Sequence, residues 1–335
     1  MRLRKWASCA WFMVCAWLSG PALAQQSHTG LDHHRSQQAA PSGGPVGPAN
    51  LPSVYRAAIE GRLGSPQSAL QQDPGRSVYQ VAERSNPAPE QPALRPGPAL
   101  PNEHPLMPAL RWAYEGKRHL EKIQDYSAIM VKRERHDGKL SNYEYMAIKV
   151  RHRPFSVYMY FLDPPSLRGQ EVIYVAGRNN GKMWAHPPPG LRNKLIGTIS
   201  LDPTSPIAMR GNHYPITELG ILNLVQRLLE VGEHDAQYGE CEVKFLPGAK
   251  INGRSCTCLQ VVHPVPRRTF LFHMARIFVD DELSIPVRYE AHDWPREPGG
   301  QPELIEEYTY LDVKLNVGFT DADFDIRNPA YGFRR

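Results

Sequence analysis

Cysteine is scarce in this chain, and basic residues never gather into long runs. Two of its five cysteines, Cys9 and Cys15, fall within the first 24 residues. The formal net charge is +5, and it falls by three to +2 if Arg2, Arg4 and Lys5 leave with that segment. Proteins that bind nucleic acids normally carry a basic stripe with interleaved aromatic side chains. We therefore expect no nucleic-acid partner.

Recognisable catalytic motifs are also missing. The sequence has no serine elbow, no His-Glu-x-x-His motif, no phosphate-binding glycine loop and no dinucleotide fingerprint. Adjacent acids at 280–282, 306–307 and 321–323 are best explained as solvated turns, with a weak calcium site at 321–323 as the alternative. His33 and His34 either bind a metal ion or are solvated, and solvation is favoured. We expect a protein that is not an enzyme and has neither a cofactor nor a resident metal ion.

The first 24 residues have the three parts of a secretory signal peptide. A basic start is followed by an apolar run from Trp6 to Leu18 and by the small residues Ala22-Leu23-Ala24. The apolar run is too short to span a bilayer comfortably. We therefore expect a cleaved signal at 1–24, a periplasmic or otherwise extracytoplasmic location, and no transmembrane segment after cleavage.

A proline-rich stretch follows this signal. Residues 41–108 contain 14 prolines, and Tyr55 and Tyr79 are the only aromatic residues between 25 and 105. So little apolar surface cannot offset the entropy lost on ordering the chain. The sequence therefore predicts a disordered tether over 25–105.

The remaining residues, 106–335, have the apolar periodicity of a single sheet-rich domain. Apolar residues at helical spacing predict helices at 106–123 and 218–231. The dipeptides Asp137-Gly138 and Asn252-Gly253 predict tight hairpins, so the sheet should be largely antiparallel. Period-two alternation predicts strands at 126–135, 143–151, 155–162, 170–176, 182–186, 242–246, 254–263, 270–279, 285–292 and 304–313.

Three cysteines lie within this domain. Cys256 and Cys258 are two residues apart on a strand, so they share a face and cannot readily bond each other. The Asn-Gly turn places Cys241 opposite residue 264, too far from either for a disulfide, whereas a turn at Pro247-Gly248 would bring it near Cys256. The Asn-Gly turn is favoured. A zinc site that recruits a histidine is disfavoured because the spacing fits no usual pattern.

The predicted strand at 155–162 supplies the first candidate binding residues. Val157, Met159 and Phe161 share one apolar face, and the opposite face is rich in tyrosine. A sheet of this kind can line an apolar cavity while its other face meets water. An ordinary sandwich core fits the same pattern equally well.

The predicted helix at 218–231 supplies the others. Thr217 is its expected N-cap, and a wide apolar stripe includes Leu222, Val225 and Leu229. A helix this apolar must be covered on most sides by protein or by a ligand. We expect these three side chains to face Val157, Met159 and Phe161 across a cavity.

A series of short motifs extends through residues 106–333. They are Lys-Arg-Glu-Arg at 132–135, Ile-Lys-Val-Arg at 148–151, Pro-Phe-Ser-Val-Tyr at 154–158, Gly-Gln-Glu-Val-Ile-Tyr-Val at 169–175, Pro-Ile-Thr-Glu-Leu-Gly at 215–220, Asp-Trp-Pro at 293–295, Glu-Tyr-Thr-Tyr at 307–310, Leu-Asn-Val-Gly-Phe-Thr-Asp at 315–321 and Asp-Phe-Asp at 323–325. Jointly they resemble a family known as domain of unknown function 1571. That family looks similar to the periplasmic lipoprotein carriers of the LolA/LolB-like superfamily.

The resemblance implies a half-open antiparallel barrel whose concave face is covered by helices and shelters acyl chains. It brings no catalytic residues. We therefore expect an α+β fold, with a curved antiparallel sheet or half-open β-barrel of about ten strands.

The expected function is that of an exported, non-enzymatic carrier or binding protein for lipid or lipoprotein acyl chains. The alternative is a structural or signalling module of the cell envelope that binds protein partners through the same sheet. A secreted hydrolase would need convergent acids and a nucleophile that the sequence does not reveal. A cavity would favour the carrier, and a solid core with an exposed apolar patch would favour the module.

Overall fold

The computed structural model describes residues 94–190 and 197–333, which contain an antiparallel sheet and two main helices. The predicted signal at 1–24 and the tether from 25 to 93 lie outside the described residues. The helices are α1 (Met107–Leu120) and α2 (Ile221–Asp235). The strands are β1 (Asp125–His136), β2 (Lys139–Leu140), β3 (Glu144–Arg151), β4 (Ser156–Asp163), β5 (Glu171–Val175), β6 (Met183–His186), β7 (Ile199–Leu201), β8 (Glu242–Ile251), β9 (Arg254–Val262), β10 (Met274–Asp280), β11 (Pro286–Asp293) and β12 (Glu303–Leu315).

The strands form one open sheet in the order β7-β6-β5-β4-β3-β1-β12-β11-β10-β9-β8, and β2 pairs with β1. All pairings are antiparallel, which confirms the predicted α+β class and sheet type. A twisted open sheet of this many strands curls, in keeping with a half-open barrel. The structure has two strands more than predicted, because β2 and β7 are too short to show a period in the sequence. No helix in the described ranges is long and apolar enough to cross a membrane.

Two of the tight turns follow from their dipeptides. Asp137 and Gly138 have φ angles of 48° and 78°, and Asn252 and Gly253 have φ angles of 49° and 79°. Both residues of each pair have the left-handed backbone conformation that a two-residue type I′ hairpin requires. The predicted hairpins are confirmed.

A β-bulge at 247–248 shifts the β8–β9 register by one residue. Glu242 therefore pairs with Val262, which leaves Cys241 opposite residue 263. The prediction of residue 264 is wrong because the sequence gives no sign of the extra residue in the bulge.

The three cysteines of the domain are free thiols. Cys256 and Cys258 are buried and Cys241 is half-buried. Burial is the main cause that raises the pKa of each thiol to about 12. They are therefore protonated and unreactive in the folded protein.

The sheet has two unlike faces. The helix face carries Tyr126, Met130, Ile148, Val150 and Tyr310, and these side chains pack with both helices into the main core. The outer face is partly covered by the C-terminal segment 319–333, which packs on Tyr158 and Ile173 through Phe324 and Tyr331. Alternate residues of each strand thus serve different partners.

The second helix begins later than the sequence predicted. Residues 216–218 form a separate 3-10 turn, and α2 starts at Ile221 after Gly220, whose φ is 115°. The Tyr126 hydroxyl accepts a hydrogen bond of 3.0 Å from the Ile221 amide and lies 3.0 Å from where a Cβ on Gly220 would be. The assignment of Thr217 as N-cap is therefore wrong, because a contact from β1 sets this end of the helix.

Residues 94–105, placed by the sequence in the tether, contact the domain. The indole nitrogen of Trp112 donates to the Leu94 carbonyl at 2.7 Å, and the Leu94 amide donates to the Ser284 hydroxyl at 3.2 Å. Arg111 forms an ion pair of 2.6 Å with Glu103. This short segment, which we call the strap (94–105), contacts α1 at Arg111 and Trp112.

Candidate functional site

An apolar cavity of about 100 Å³ lies between the two helices and strands β9–β11. Leu110 and Trp112 of α1 and Val225 of α2 border it from the helix side. Val261 of β9 and Ile277 of β10 border it from the sheet. The helices lie on this part of the sheet because both are amphipathic and their apolar stripes must be covered.

The two helices are in close contact at one end of the cavity and leave a gap at the other end. At Gly232 of α2 an added Cβ would lie 2.9 Å from a methyl carbon of Leu110, so the helices approach closely there. Gly116 of α1 also borders the cavity, but a Cβ there would meet no atom within 4 Å. The cavity therefore has unfilled space beside α1.

Two polar side chains border the cavity, and each has a partner. Asp235 at the end of α2 is buried, and its carboxylate lies 3.0 Å from Nε2 of the fully buried His263. His263 in turn stacks on Phe270, with ring centroids 3.9 Å apart. Ser284 accepts the hydrogen bond from the strap. An apolar ligand would therefore meet no unpaired charge at these positions.

A second cavity, of about 310 Å³, lies where α2 begins. Leu222 borders it together with Val150, Phe155, Tyr174 and His152. Its lining is more polar than that of the first cavity because it includes Thr217, Asn223 and the imidazole of His152.

His152 offers an acceptor to this second cavity. Burial lowers the pKa of His152, so its ring is neutral near pH 7. Nδ1 lies 2.7 Å from the Ile123 carbonyl and must donate to it, which makes Nε2 an acceptor. Nε2 is buried without a hydrogen-bond partner among the described residues. A ligand group with an O–H or N–H would satisfy it.

The structure brings some of the predicted binding residues together and separates others. Val225 borders the first cavity and Leu222 the second, and Leu229 is buried in the main core. Val157, Met159 and Phe161 lie outside the lining of both cavities. Contact of any of these six side chains with a ligand stays a prediction.

The sequence analysis predicted β9 and β10 as strands but did not predict that they border the first cavity. Val261 and Ile277 occupy alternate apolar positions of β9 and β10, a pattern as clear as the one in β4. The sequence does not show which strands a helix crosses, since that depends on the order of strands in the sheet. Trp112 could have been suspected, because a lone tryptophan on a helix usually packs against other elements.

The sequence of this chain matches one known protein family. Residues 123–333 match the model described as "Protein of unknown function (DUF1571)". The chain belongs to this family. The membership predicted from the short motifs is thus confirmed. No curated protein matches the chain in sequence.

Several solved structures are similar to this DUF1571 protein at low identity. Lipoprotein LppX of Mycobacterium tuberculosis has 13% identity and a TM-score of 0.37, with 65% of this chain and 100% of that chain covered. A putative outer membrane lipoprotein-sorting protein domain from Vibrio parahaemolyticus has 14% identity and a TM-score of 0.31, with 64% and 95% covered. A LolA superfamily protein from Nitrosomonas europaea has 12% identity and a TM-score of 0.27, with 64% and 97% covered. At such values the likeness carries no function to this chain.

Proposed function

We propose that this protein is an exported, non-enzymatic carrier or binding protein that holds an acyl chain of a lipid or lipoprotein between its helices and its sheet. The observation that carries the proposal is the apolar cavity between α1, α2 and strands β9–β11. Burial of an acyl chain there would contribute about 0.8 kcal/mol for each methylene group removed from water.

The cavity must widen to take such a chain. At about 100 Å³ it is smaller than the roughly 300–1,000 Å³ of ordinary ligand pockets. One helix borders both cavities, with Leu222 at the second and Val225, three residues later, at the first. A shift of α2 away from the sheet would therefore join the two spaces and produce a longer apolar channel.

The two cavities differ in polarity in a way that suits a lipid. The first accepts the apolar chain, because Asp235 and Ser284 at its border are already paired. The second offers Nε2 of His152, which has no hydrogen-bond partner in the described part of the chain and suits a hydroxyl or amine of a head group. The proposed ligand therefore has an acyl chain toward β9–β11 and a polar end toward His152.

Uptake of a fluorescent fatty acyl probe by the purified protein tests this function. Gly116→Leu should lower the affinity for the probe at least tenfold, because its side chain fills the gap beside α1. Val225→Asp should abolish uptake, since it places a charge on the cavity wall. Arg118→Leu, at an exposed position of α1, serves as the matched control for Gly116→Leu and should leave the affinity unchanged.

Circular dichroism and thermal unfolding of each variant separate loss of binding from loss of folding. Gly116→Leu is the decisive variant, because Val225 is buried and its replacement also destabilises the core. A wild-type protein that takes up no probe would contradict the carrier and leave the envelope module that binds protein partners. Equal uptake by Gly116→Leu and Arg118→Leu would place the ligand elsewhere.

A further inference from the structure

A polar cluster lies at the end of the helix face, away from both cavities. Glu134 and His136 project from β1, Glu306 from β12, and His213 from the segment that crosses these strands before α2. Glu134, His136 and His213 each present one ligand atom, and the three atoms lie within 4.8 Å of one another. These are the residue types that hold zinc in proteins.

The distances within the cluster are close to what a metal ion needs. One Glu134 carboxylate oxygen lies 3.0 Å from Nε2 of His136 and also accepts the His213 amide at 3.0 Å. The rings of His136 and His213 have centroids 4.6 Å apart. Ligand atoms of a tetrahedral zinc ion are roughly 3.4 Å apart, so small side-chain rotations suffice. His136 has room to rotate because a third of its side chain is exposed.

Further groups hold the ligands in place. A Glu306 oxygen lies 2.6 Å from Nδ1 of His213, the carboxylate–histidine contact that commonly orients a metal ligand. Tyr214 donates to the other Glu306 oxygen at 2.9 Å, and Tyr308 donates to Glu134 at 2.5 Å. In the structure Nε2 of His213 faces the Arg135 carbonyl at 3.1 Å, and this is the contact an ion would replace.

The cluster carries more negative than positive charge. Glu134 and Glu306 are both buried, and the nearest lysine, Lys132, lies 3.8 Å from Glu134 but closer, at 3.3 Å, to Glu144. Buried carboxylates need a compensating positive charge, which a divalent ion would supply.

We propose that Glu134, His136 and His213 bind one divalent transition-metal ion of the zinc type, and that Glu306 orients His213. The ion fastens segment 211–214 to β1 and so fixes the path of the chain that leads toward α2. The sequence alone predicted no resident metal, since two ligands lie on one strand and the third follows 77 residues later. The function proposed above does not depend on this ion.

Titration of the metal-free full chain with Zn²⁺ alone, followed by calorimetry and by elemental analysis, tests the site. The double variant His33→Asn/His34→Asn serves as the background, because two adjacent histidines also bind metal ions. We expect one zinc ion per chain in this background. His136→Gln should weaken binding at least tenfold, and Glu306→Gln by about 10–100-fold. His119→Gln, a half-buried histidine of α1, is the control and should bind like the background.

Thermal unfolding provides an independent readout, since an ion that binds the folded state raises its stability. Zinc should raise the melting temperature of the background and of His119→Gln, but not that of His136→Gln. Co²⁺ in place of Zn²⁺ should give the absorption bands of a tetrahedral site. Absence of zinc binding in the background, or equal binding by His136→Gln and His119→Gln, would overturn the proposal and leave His213 as a hydrogen-bonding partner of the two carboxylates.

Discussion

The two faces of the sheet are stabilised by different kinds of contact. On the helix face, α1 and α2 pack apolar side chains against the strands and leave a cavity. On the outer face, ion pairs and aromatic stacking dominate: Lys149 bonds Asp323 at 2.8 Å, and Tyr158 stacks on Tyr331 at 4.1 Å. Apolar packing is non-directional and tolerates rearrangement, whereas paired buried charges do not. Beneath the two helices the contacts are mostly apolar, so the proposed opening for a ligand would leave the charged contacts of the outer face intact.

Removal of one buried charge should break the outer face most severely. The Arg288 side chain is only 13% exposed and is paired with Glu290 and Glu307, and it donates to the Thr309 hydroxyl at 2.8 Å. Arg288→Met leaves the buried Glu307 without its ion-pair partner and leaves Glu290 with Arg276 alone, so we expect a loss of about 3–5 kcal/mol in the free energy of unfolding. Urea denaturation measures this loss.

Arg296→Met is the control for that experiment. Arg296 is 71% exposed and pairs with Glu303 at the surface. The control should change stability by no more than about 0.5 kcal/mol. A cost for Arg288→Met as small as the control's would show that the outer face does not depend on its charges.

The pH dependence of stability tests a second outer-face carboxyl. Burial is the main cause that raises the pKa of Glu171 from 4.5 to about 7, despite hydrogen bonds from the Gly332 amide and the Tyr158 hydroxyl. The folded state thus holds this proton more tightly than the unfolded state does. Its contribution is fully present below pH 4.5 and is lost as pH rises through about 7.

Glu171→Gln should remove this dependence. The variant and the wild type should be similarly stable near pH 4.5, and above pH 7 the variant should be more stable by up to about 3 kcal/mol. Denaturation at several pH values gives the difference. Glu282→Gln, at a position 79% exposed, is the control and should show no such trend. A constant difference between Glu171→Gln and the wild type across this pH range would contradict the assigned burial effect.

Deletion of the strap (94–105) should weaken the helix face by a smaller amount. A chain that begins at residue 106 loses the two hydrogen bonds of Leu94 with Trp112 and Ser284, and these account for the expected effect because the ion pair of Arg111 with Glu103 is exposed to solvent. We expect it to fold but to be about 1–3 kcal/mol less stable than a chain that begins at residue 93. Thermal unfolding of the two chains measures the difference, and equal stability would place the strap with the tether.

The contrast between the faces was not predicted, since the sequence analysis assigned the acids at 306–307 to solvated turns and both are buried in β12. The strands and hairpins were predictable, because they follow from local rules. Strand periodicity predicted ten of the twelve strands in residues 94–190 and 197–333, and the dipeptides at 137–138 and 252–253 predicted their hairpins. Tertiary contacts decided the rest. The helix α2 begins directly after Gly220 because the Tyr126 hydroxyl lies against that glycine.

The candidate site was less predictable than the fold. Val225 was expected at a cavity and borders one, but its strand neighbours there come from β9 and β10 rather than β4. The sequence shows the apolar stripe of a helix, and it does not show which strands that stripe covers. The cluster of Glu134, His136 and His213 was missed for the same reason, since the chain brings them together through the fold and not through their spacing.

The smallest expected effect concerns the two glycines of the helix pair. Gly116→Ala should raise stability by about 0.5–1 kcal/mol, because alanine favours the helix and its Cβ meets no atom within 4 Å. Gly232→Ala gains the same helix preference, but its Cβ would lie 2.9 Å from Leu110, so it should be neutral or destabilising. Thermal unfolding distinguishes them, since 1 kcal/mol shifts the melting temperature of a domain of this size by roughly 2–4 °C. If both substitutions stabilised the protein equally, the helices would not be in close contact at Gly232, and the gap beside Gly116 would not distinguish one end of the cavity from the other.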